Sequence, residues 1–355
     1  MLLNVQALRG LAAFLVVFVH LERVATLAGL QAGVTIFGNS GVDIFFVISG
    51  LIMVVTTSGL RRQTPQGFLR NRLTRIAPLY WAITLAVFAL ALAAPRLLQS
   101  TTADPAELLE SLAFIPYARA DGQMHPVVFV GWTLNYEMAF YVIFALGLML
   151  PRRLAGLALA IAILAAAAAF GQIARPEGVL GFYCAPMILE FGAGMLLGAL
   201  FVRDLLPKSR GWGWAAAAVA PVALAVMLAG PWLWPQFDRA VMFGAPALVL
   251  VAAGLVAERA GLTLSQGWIQ TAGAASYSVY LTHFFCTQVV TRAAERLVGF
   301  GPLMMWALAL VAFLLVAMVG VFVHRRVELP LTELARRMIA PMGPKPRPTI
   351  AGGAW

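Results

Sequence analysis

The sequence predicts an all-α, polytopic integral membrane protein, a bundle of about ten transmembrane helices with both termini in the cytoplasm. The first observation is composition: the 355 residues are 61% hydrophobic and 11% charged, whereas a soluble domain carries about 25% charged residues. The second is that ten apolar runs approach the length of about 20 residues that a membrane helix needs. The third is that the basic residues lie in short clusters between these runs.

The predicted spans follow one another along the whole chain. The N-terminal run lacks the basic region and the A-x-A site of a cleavable signal peptide, so we expect it to remain as the first helix. The fourth span ends at Pro151, ahead of two arginines. The longest connection is about 96–126, and within it residues 105–114 have the pattern of a short amphipathic surface helix. The spans are about 5–25, 38–57, 76–95, 127–150, 154–172, 179–201, 212–230, 239–257, 270–290 and 302–323.

The distribution of positive charge supports this layout. With both termini inside, 18 of the 25 Lys and Arg residues fall on the cytoplasmic side and 7 fall outside, which is the excess that the positive-inside rule describes. An odd number of spans would scramble this sorting. We expect residues 1–330 to form the membrane domain. Residues 331–355 then form a basic cytoplasmic tail that is partly disordered, because the segment after Pro341 has few apolar residues.

Several classes of function lack a motif in this chain. The net charge of +10 does not predict a nucleic-acid partner, because the basic residues are scattered between apolar runs. Cys184 and Cys286 both lie in apolar stretches and form no CxxC pair. There is no GxGxxG, GxxxxGK[ST], HExxH or GxSxG motif. We therefore predict no metal site and no permanently bound cofactor.

Arg9 and His20 are the leading candidates for chemistry. They lie eleven residues apart in the first span, which places them on nearly the same helix face, roughly 16 Å apart along the axis. Ionisable groups at membrane depth are costly and usually functional, although a hydrogen-bonded core histidine is the simpler alternative. A neutral imidazole can take a proton from a hydroxyl or carry an acyl group as a nucleophile. The sequence leaves both roles of His20 open.

Arg72 and Arg75 are the candidates for binding phosphate. They are three residues apart, so they share a helix face, and they lead directly into the apolar residues from Ile76 onward. Guanidinium groups at the mouth of a membrane bundle suit bidentate contacts with phosphate. Ordinary membrane anchoring is the alternative, and it fully explains Arg152 and Arg153.

Further polar side chains lie inside the predicted spans. Ser276, Tyr280 and His283 fall at i, i+4 and i+7 and so lie along one helix face. Glu137 and Glu190 are deep enough that each must be paired or protonated. We include Glu137 and His283 among the catalytic candidates, while hydrogen bonding within the bundle explains His283 about as well.

Two features of the helix ends and packing have mainly structural explanations. Asp43 lies at the start of the second span, where capping of the helix dipole explains it at least as well as acceptor binding does. Gly194 and Gly198 form a GxxxG pattern, which is typical of close helix packing.

Six segments together resemble the membrane-bound acyltransferase-3 family, and within it the exopolysaccharide production and O-acetyltransferase subgroup. The resemblance covers about 1–330. The segments occur in the family's order and topology, and they are QALRGLAAFLVVFVH, GVDIFFVISGLIM, FLRNRLTRIAPLYW, GWTLNYEMAFY, ASYSVYLTHF and HRRVELP.

This resemblance implies a multi-pass acyltransferase of the bacterial inner membrane. It implies transfer of an acyl group, usually acetyl, from cytoplasmic acyl-CoA to a hydroxyl of a polysaccharide or of its lipid-linked precursor. The family's basic–ten residues–histidine motif falls on Arg9 and His20, and its Arg-x-x-Arg motif falls on Arg72 and Arg75. The glutamate of its closing Glu-x-Pro motif falls on Glu328, which is followed here by leucine where many members carry a basic residue. Acyl-CoA would then contact Arg72, Arg75, Arg9 and Glu328, and the other partners would be a carbohydrate acceptor and membrane lipid.

Two other classes of function are compatible with the composition. A transporter or flippase could use the buried carboxylates as a proton relay, but it predicts internal repeats and matched broken helices, and the sequence has neither. A structural subunit of a polysaccharide assembly complex would leave Arg9, His20, Arg72 and Arg75 unexplained. The sequence does not identify the acceptor, the acyl chain or the side of the membrane on which transfer occurs.

Overall fold

The structure is a computed structural model that describes residues 2–59, 63–95, 103–119 and 122–339. Within these residues all regular secondary structure is helical, apart from one isolated bridge between Ala118 and Met124. The predicted all-α bundle is therefore confirmed. The α-helices are α1 Leu3–Val19, α2 Glu22–Leu27, α3 Ser40–Thr57, α4 Pro65–Ala93, α5 Pro105–Leu112, α6 Trp132–Met149, α7 Arg153–Ala174, α8 Gly178–Tyr183, α9 Ile188–Val202, α10 Arg210–Leu233, α11 Ala245–Arg259, α12 Gly267–Ala274, α13 Ser276–Leu297, α14 Pro302–Val323 and α15 Leu329–Ile339.

Eight helical segments of the described chain are long and apolar enough to cross a membrane, which makes this a multi-pass membrane protein. They correspond to eight of the ten predicted spans. The other two predicted spans are helical as well. Helix α1 is apolar but has only 17 residues, and α13 is rich in polar side chains. The predicted surface helix at 105–114 is α5, capped by the Asp104 carboxylate, which accepts from the N–H of Ala106 at 2.8 Å.

The first helix is shorter than the predicted span 5–25. Helix α1 ends at Val19, and His20 is its C-cap. The chain turns there, and Glu22 in the next helix accepts hydrogen bonds from Gly33 N–H and from the N–H and hydroxyl of Thr35 in the following loop. Burial acts to raise the pKa of Glu22, but these hydrogen bonds outweigh it and hold that pKa below its usual range. His20 therefore lies at a turn and not inside a continuous helix.

Helix α4 begins earlier than the predicted 76–95. Thr64 accepts the N–H of Gly67 at 3.1 Å and Pro65 occupies the first turn, where it costs no hydrogen bond. Arg72 and Arg75 consequently lie inside a helix, and their predicted common face exists.

The chain remains helical across the predicted domain boundary at 330. Helix α14 passes through a π-helical turn, His324–Glu328, into α15, which packs against α4. A proline at 330 lies in the first turn of α15, where its missing N–H is tolerated. The described part of the predicted tail is thus a helix. The predicted disorder after Pro341 concerns residues outside the described ranges.

Helix α3 is held at backbone contact by neighbours on two sides. A Cβ atom built on Gly41 would collide with the carbonyl oxygen of Ala12 in α1, and one built on Gly50 would collide with the carbonyl oxygen of Phe191 in α9. On the α9 side, Gly194 lies just as close to the carbonyl oxygen of Val47. The predicted close packing of the GxxxG pattern is therefore seen, and α3 is its partner.

A buried charge cluster joins α3 to the start of the segment that leads into α11. The Asp43 side chain is fully buried, and Arg239 Nη2 donates to its Oδ2 at 2.8 Å and to the carbonyl of Asn39 at 3.1 Å. Glu190 of α9 interacts with Asp43, and neither Glu190 oxygen has a donor among the described residues. Two carboxyl groups share one guanidinium, and a buried carboxyl without a counter-charge is held at lowest cost as the neutral acid. Asp43 is thus an ion-pair partner, and Glu190 is its neutral neighbour.

We expect Gly194→Ala to destabilise the bundle, because the added methyl group collides with backbone that cannot move aside without separating α3 from α9. The expected cost is about 1–3 kcal/mol, seen as a lower thermal unfolding midpoint in a fixed detergent. Gly192→Ala is the matched control on the same helix, since its Cβ would meet only Leu164 Cδ1 at 3.8 Å. Equal shifts for the two variants would contradict this packing.

The Asp43 cluster makes a separate stability prediction. Asp43→Asn leaves Arg239 without its carboxylate partner and should lower the free energy of unfolding by about 3 kcal/mol. This is the lower end of the range for breaking a buried ion pair, because the Arg239 side chain is 30% exposed. Glu190→Gln should be close to neutral, because the amide has nearly the same shape as the uncharged acid and adds no charge beside Asp43. Thermal unfolding measures both. A loss from Glu190→Gln as large as that from Asp43→Asn would mean that Glu190 is ionised.

Candidate active site

A cavity of about 1090 Å³ lies inside the bundle and contains most of the sequence candidates. Its walls come from α1, α3, α4, α6, α13 and α15. Along α3 the lining runs from Val42 to Thr56, a distance of about 21 Å at 1.5 Å per residue. We call the end at which Thr56, Arg72 and Arg336 line the cavity the basic end. The cavity has the length and the polar rim to hold an extended chain with an anionic head.

The basic end presents three guanidinium groups, from Arg72, Arg75 and Arg336. Arg72 is held in place, because its Nη2 donates to Thr56 Oγ1 at 2.6 Å and its guanidinium carbon lies 5.4 Å from the Phe68 ring centroid. Arg75 and Arg336 are exposed, so solvent or a ligand reaches them directly. The predicted pairing of Arg72 and Arg75 on one face is therefore seen in the cavity, with Arg336 as a third member from α15.

Arg9 and Glu137 line the cavity deeper in. Arg9 Nη1 donates to Gln6 Oε1 at 3.2 Å. Its guanidinium also lies close enough to Glu137, Arg75 and Glu328 to interact with all three. Glu137 Oε1 accepts from Ser49 Oγ at 3.1 Å and from the Tyr141 hydroxyl. These groups form a polar belt in an otherwise apolar channel.

Glu328 is fixed by two hydrogen bonds. Its Oε2 accepts from Ser278 Oγ at 2.7 Å, and His324 Nδ1 lies 2.8 Å from the same oxygen. The π-helical turn that contains both His324 and Glu328 directs them into the cavity wall. Glu328 is therefore a buried acceptor close to Arg9, and not part of the basic rim.

His20 lies beyond the far end of the cavity and does not line it. It packs against His283 of α13, with ring centroids 5.0 Å apart, and edge-on against Phe129 and Phe284 at 5.8 and 5.1 Å. His20 is half-buried and His283 is fully buried. The sequence places His20 and Arg9 on one helix face, roughly 16 Å apart along the axis; in the structure Arg9 lines the cavity, whereas His20 lies outside its lining.

His283 has a defined tautomer. Its Nδ1 lies 2.6 Å from the carbonyl oxygen of Tyr280, which can only accept, so Nδ1 carries the proton. Its Nε2 then holds a free lone pair, and it is buried with no hydrogen-bond partner among the described residues. Of the predicted face of α13, Ser276 and Tyr280 line the cavity, while His283 joins His20 behind it.

Polar cavity residues that were not among the sequence candidates include Ser49, Tyr141, Tyr277 and Arg336. Tyr141 had a usable signal, since it stands four residues after Glu137 and so shares its helix face. Ser49, Tyr277 and Arg336 had none, because α3, α13 and α15 meet only in the folded bundle. Conversely, two residues that the sequence singled out, Asp43 and Glu190, lie outside the cavity lining and belong to the charge cluster described above.

Comparisons with known proteins agree with this arrangement. The family described as "Acyltransferase domain" matches residues 2–323. The "Exopolysaccharide production protein ExoZ" of Rhizobium meliloti (strain 1021) is 36% identical over 309 residues, which cover 84% of this chain and 91% of that protein. The "Acyltransferase MdmB" of Streptomyces mycarofaciens is 28% identical over 376 residues, 94% of this chain and 92% of that protein. No solved structure matches the chain.

The family match covers nearly the whole bundle, including the histidine pair and the cavity except for its wall from His324 to Arg336. The cavity has guanidinium groups at its rim, which suit an anionic group, and a polar belt further in. Two imidazoles lie next to it, and imidazole is a common acid or base in group transfer. The chain therefore belongs to the acyltransferase-3 family, and it is a multi-pass membrane acyltransferase that transfers groups other than aminoacyl groups.

Proposed function

We propose that this enzyme moves an acyl group, most often acetyl, from acyl-CoA to a hydroxyl of a bacterial polysaccharide or of its lipid-linked precursor. The observation that carries the proposal is one continuous cavity. It runs from three arginines at the basic end to Tyr280, whose ring contacts His283 of the His20–His283 pair. The relative ExoZ is named as an exopolysaccharide production protein, and this similarity supports a carbohydrate acceptor.

The basic end fits the phosphate groups of acyl-CoA. Arg72 is pre-oriented by Thr56 and by the aromatic rings beneath it, so little side-chain freedom is lost when it binds. Arg75 and Arg336 add two exposed guanidinium groups at the same rim. Charge-assisted, bidentate hydrogen bonds of this kind are the strong contacts that proteins use for phosphate.

The interior of the cavity fits the arm that carries the thioester. An amide-containing chain inside a membrane bundle needs hydrogen-bond partners, because unpaired amides are costly there. Arg9, Ser49 and Glu137 supply donors and acceptors along the channel. The positive charge of Arg9 also lies close enough to Glu137 and Glu328 to offset part of their negative charge. Arg9 and Glu328 are thus binding residues in this proposal.

The chemistry is assigned to His20, with His283 beside it. His20 takes the proton of the acceptor hydroxyl while the hydroxyl oxygen attacks the thioester carbonyl carbon. The carbon–sulfur bond then breaks, and the CoA thiolate takes the proton from His20, which returns to its neutral form. A covalent route in which His20 first carries the acyl group gives the same products. His283 keeps His20 in place, and its free Nε2 can accept a second proton.

The two substrates enter from opposite ends of the bundle in this proposal. The donor enters at the basic end, whereas His20 lies at the turn beyond the C-terminus of α1 and is half-buried. In this proposal the basic end faces the cytoplasm of a bacterium, at its inner membrane, with both termini inside, and the excess of basic residues on that side supports this orientation. The acceptor then approaches from the other face of that membrane.

A transporter that relays protons through carboxylates is less well supported. Glu137 and Glu328 are each held by two fixed hydrogen-bond partners, and Glu190 lies outside the cavity lining. The assay below separates the two classes. A protein that only transports releases no free thiol from acetyl-CoA.

We expect His20→Ala to lower the rate of acyl transfer by about 10²–10⁴-fold, the usual loss on removing a general base. The measurement is release of free CoA thiol by the purified protein in detergent, with acetyl-CoA and base-deacetylated surface polysaccharide from the source bacterium. Arg23→Ala is the matched control three residues further along, because Arg23 is exposed and pairs only with the exposed Glu295 among the described residues. Near-normal transfer by a folded His20→Ala protein would remove His20 from its proposed role.

We expect Arg72→Gln and Arg75→Gln to raise the KM for acetyl-CoA by about 10-fold to 100-fold each, since a hydrogen bond to a charged group contributes about 1.5–3 kcal/mol. The KM for S-acetylpantetheine, which lacks the nucleotide phosphates, should stay near the wild-type value. Arg153→Gln is the control, because Arg153 donates to the carbonyls of Ser58 and Gly59 and does not line the cavity. An equal rise of KM for both donors would mean that these arginines do not bind phosphate.

A further inference from the structure

Tyr280 of α13 lies at the far end of the cavity, on the side that faces the His20–His283 pair. Tyr280 lines the cavity and is only 6% exposed. Its hydroxyl donates to the carbonyl oxygen of Val130 at 3.0 Å and lies 2.8 Å from Thr133 Oγ1. Both partners lie at the start of α6, so these hydrogen bonds fasten the ring across the end of the channel.

The ring of Tyr280 has contacts on both sides of this closure. Phe45, which lines the cavity, packs against it at 5.8 Å in a T-shaped arrangement. On the other side the His283 ring lies 5.7 Å away, and His20 lies 5.0 Å beyond that. Neither histidine lines the cavity. Tyr280 therefore lies between the cavity and the imidazole rings of His20 and His283.

The space around the imidazoles is already filled by aromatic rings. Phe129 and Phe284 stack on each other at 5.2 Å, and both contact His20. A thioester that reaches His20 must displace the Tyr280 ring, and its acyl group must then fit among these rings.

We propose that Tyr280 is a specificity-determining residue of the transfer reaction. It is a gate whose ring limits the acyl group that reaches the His20–His283 pair to a short one. This inference rests on the proposed function, because it takes His20 as the place of reaction and acyl-CoA as the donor.

The size of the ring, and not its hydroxyl, makes the selection. A well-packed apolar site distinguishes substrates that differ by one methylene by about 10-fold to 200-fold, and butyryl exceeds acetyl by two. The hydroxyl bonds to Val130 and Thr133 only hold the ring in its closed position. Removing the ring should admit longer chains, whereas removing the hydroxyl alone should not.

Tyr277 provides a matched control on the same helix. It also lines the cavity, and its hydroxyl donates to the carbonyl of Ile76 at 2.7 Å. It stands one turn before Tyr280 and has no ring contact with His283 among the described residues. Enlarging the channel at Tyr277 should therefore leave acyl-chain selection unchanged.

The test compares kcat/KM for acetyl-CoA and butyryl-CoA in the wild type and in Tyr280→Ala, Tyr280→Phe and Tyr277→Ala. Purified protein in detergent is used, with release of free CoA thiol as the readout and deacetylated polysaccharide as the acceptor. The wild type should prefer acetyl by at least about 10-fold. Tyr280→Ala should reduce this preference about 10-fold or more, while Tyr280→Phe and Tyr277→Ala should keep it within about 3-fold of the wild type. A general loss of structure would lower both rates and leave their ratio unchanged.

The inference is overturned if the wild type turns over butyryl-CoA as well as acetyl-CoA. It is also overturned if Tyr280→Ala keeps the wild-type ratio, or if Tyr277→Ala relaxes the ratio equally. If Tyr280→Ala does not fold, Tyr280→Leu replaces it under the same criteria. Absence of thiol release by every protein, the wild type included, would instead overturn the proposed function, and this inference with it.

Discussion

The close approach of α3 to α1 and α9 is the constraint on which the rest of the structure depends. Gly41, Gly50 and Gly194 let backbone meet backbone on two sides of α3, where any side chain would force the helices apart. In lipid, where helices gain little from burying apolar surface against each other, such contacts are a main source of packing energy. With two sides fixed, α3 presents its remaining side, from Val42 to Thr56, to the cavity.

Charge inside the bundle is divided between two places with different purposes. Around Asp43 the carboxylate pairs with the Arg239 guanidinium beside the Glu190 carboxyl, and these groups lie outside the cavity lining. In the cavity, Arg9 lies near two glutamates, Glu137 and Glu328, while Arg75 and Arg336 are exposed. Because burying an uncompensated charge is costly, the paired group is interpreted as structural and the exposed cations at the rim as a binding site.

Two separate regions of the structure contain the candidate site residues, and the side chain of Tyr280 lies between them. One region is the channel with its basic rim and polar belt, and the other is the imidazole pair with its aromatic surround. Tyr280 is held in place by its hydrogen bonds to Val130 and Thr133. In the proposed mechanism, Tyr280 separates an acyl donor in the channel from the imidazole pair until its ring moves aside.

The sequence by itself determined the helical membrane bundle, because hydropathy over some 20 residues depends on local composition alone. It also determined the common face of Arg72 and Arg75 and the close packing at Gly194, since both follow from helical periodicity. Only the tertiary structure decided that His20 lies beside His283 and outside the cavity that Arg9 lines. It alone decided that Asp43 pairs with Arg239, that Arg336 joins the rim, and that Tyr280 separates the channel from the histidines. These contacts join residues far apart in the chain, and which distant helices meet is a property of packing that no local pattern encodes.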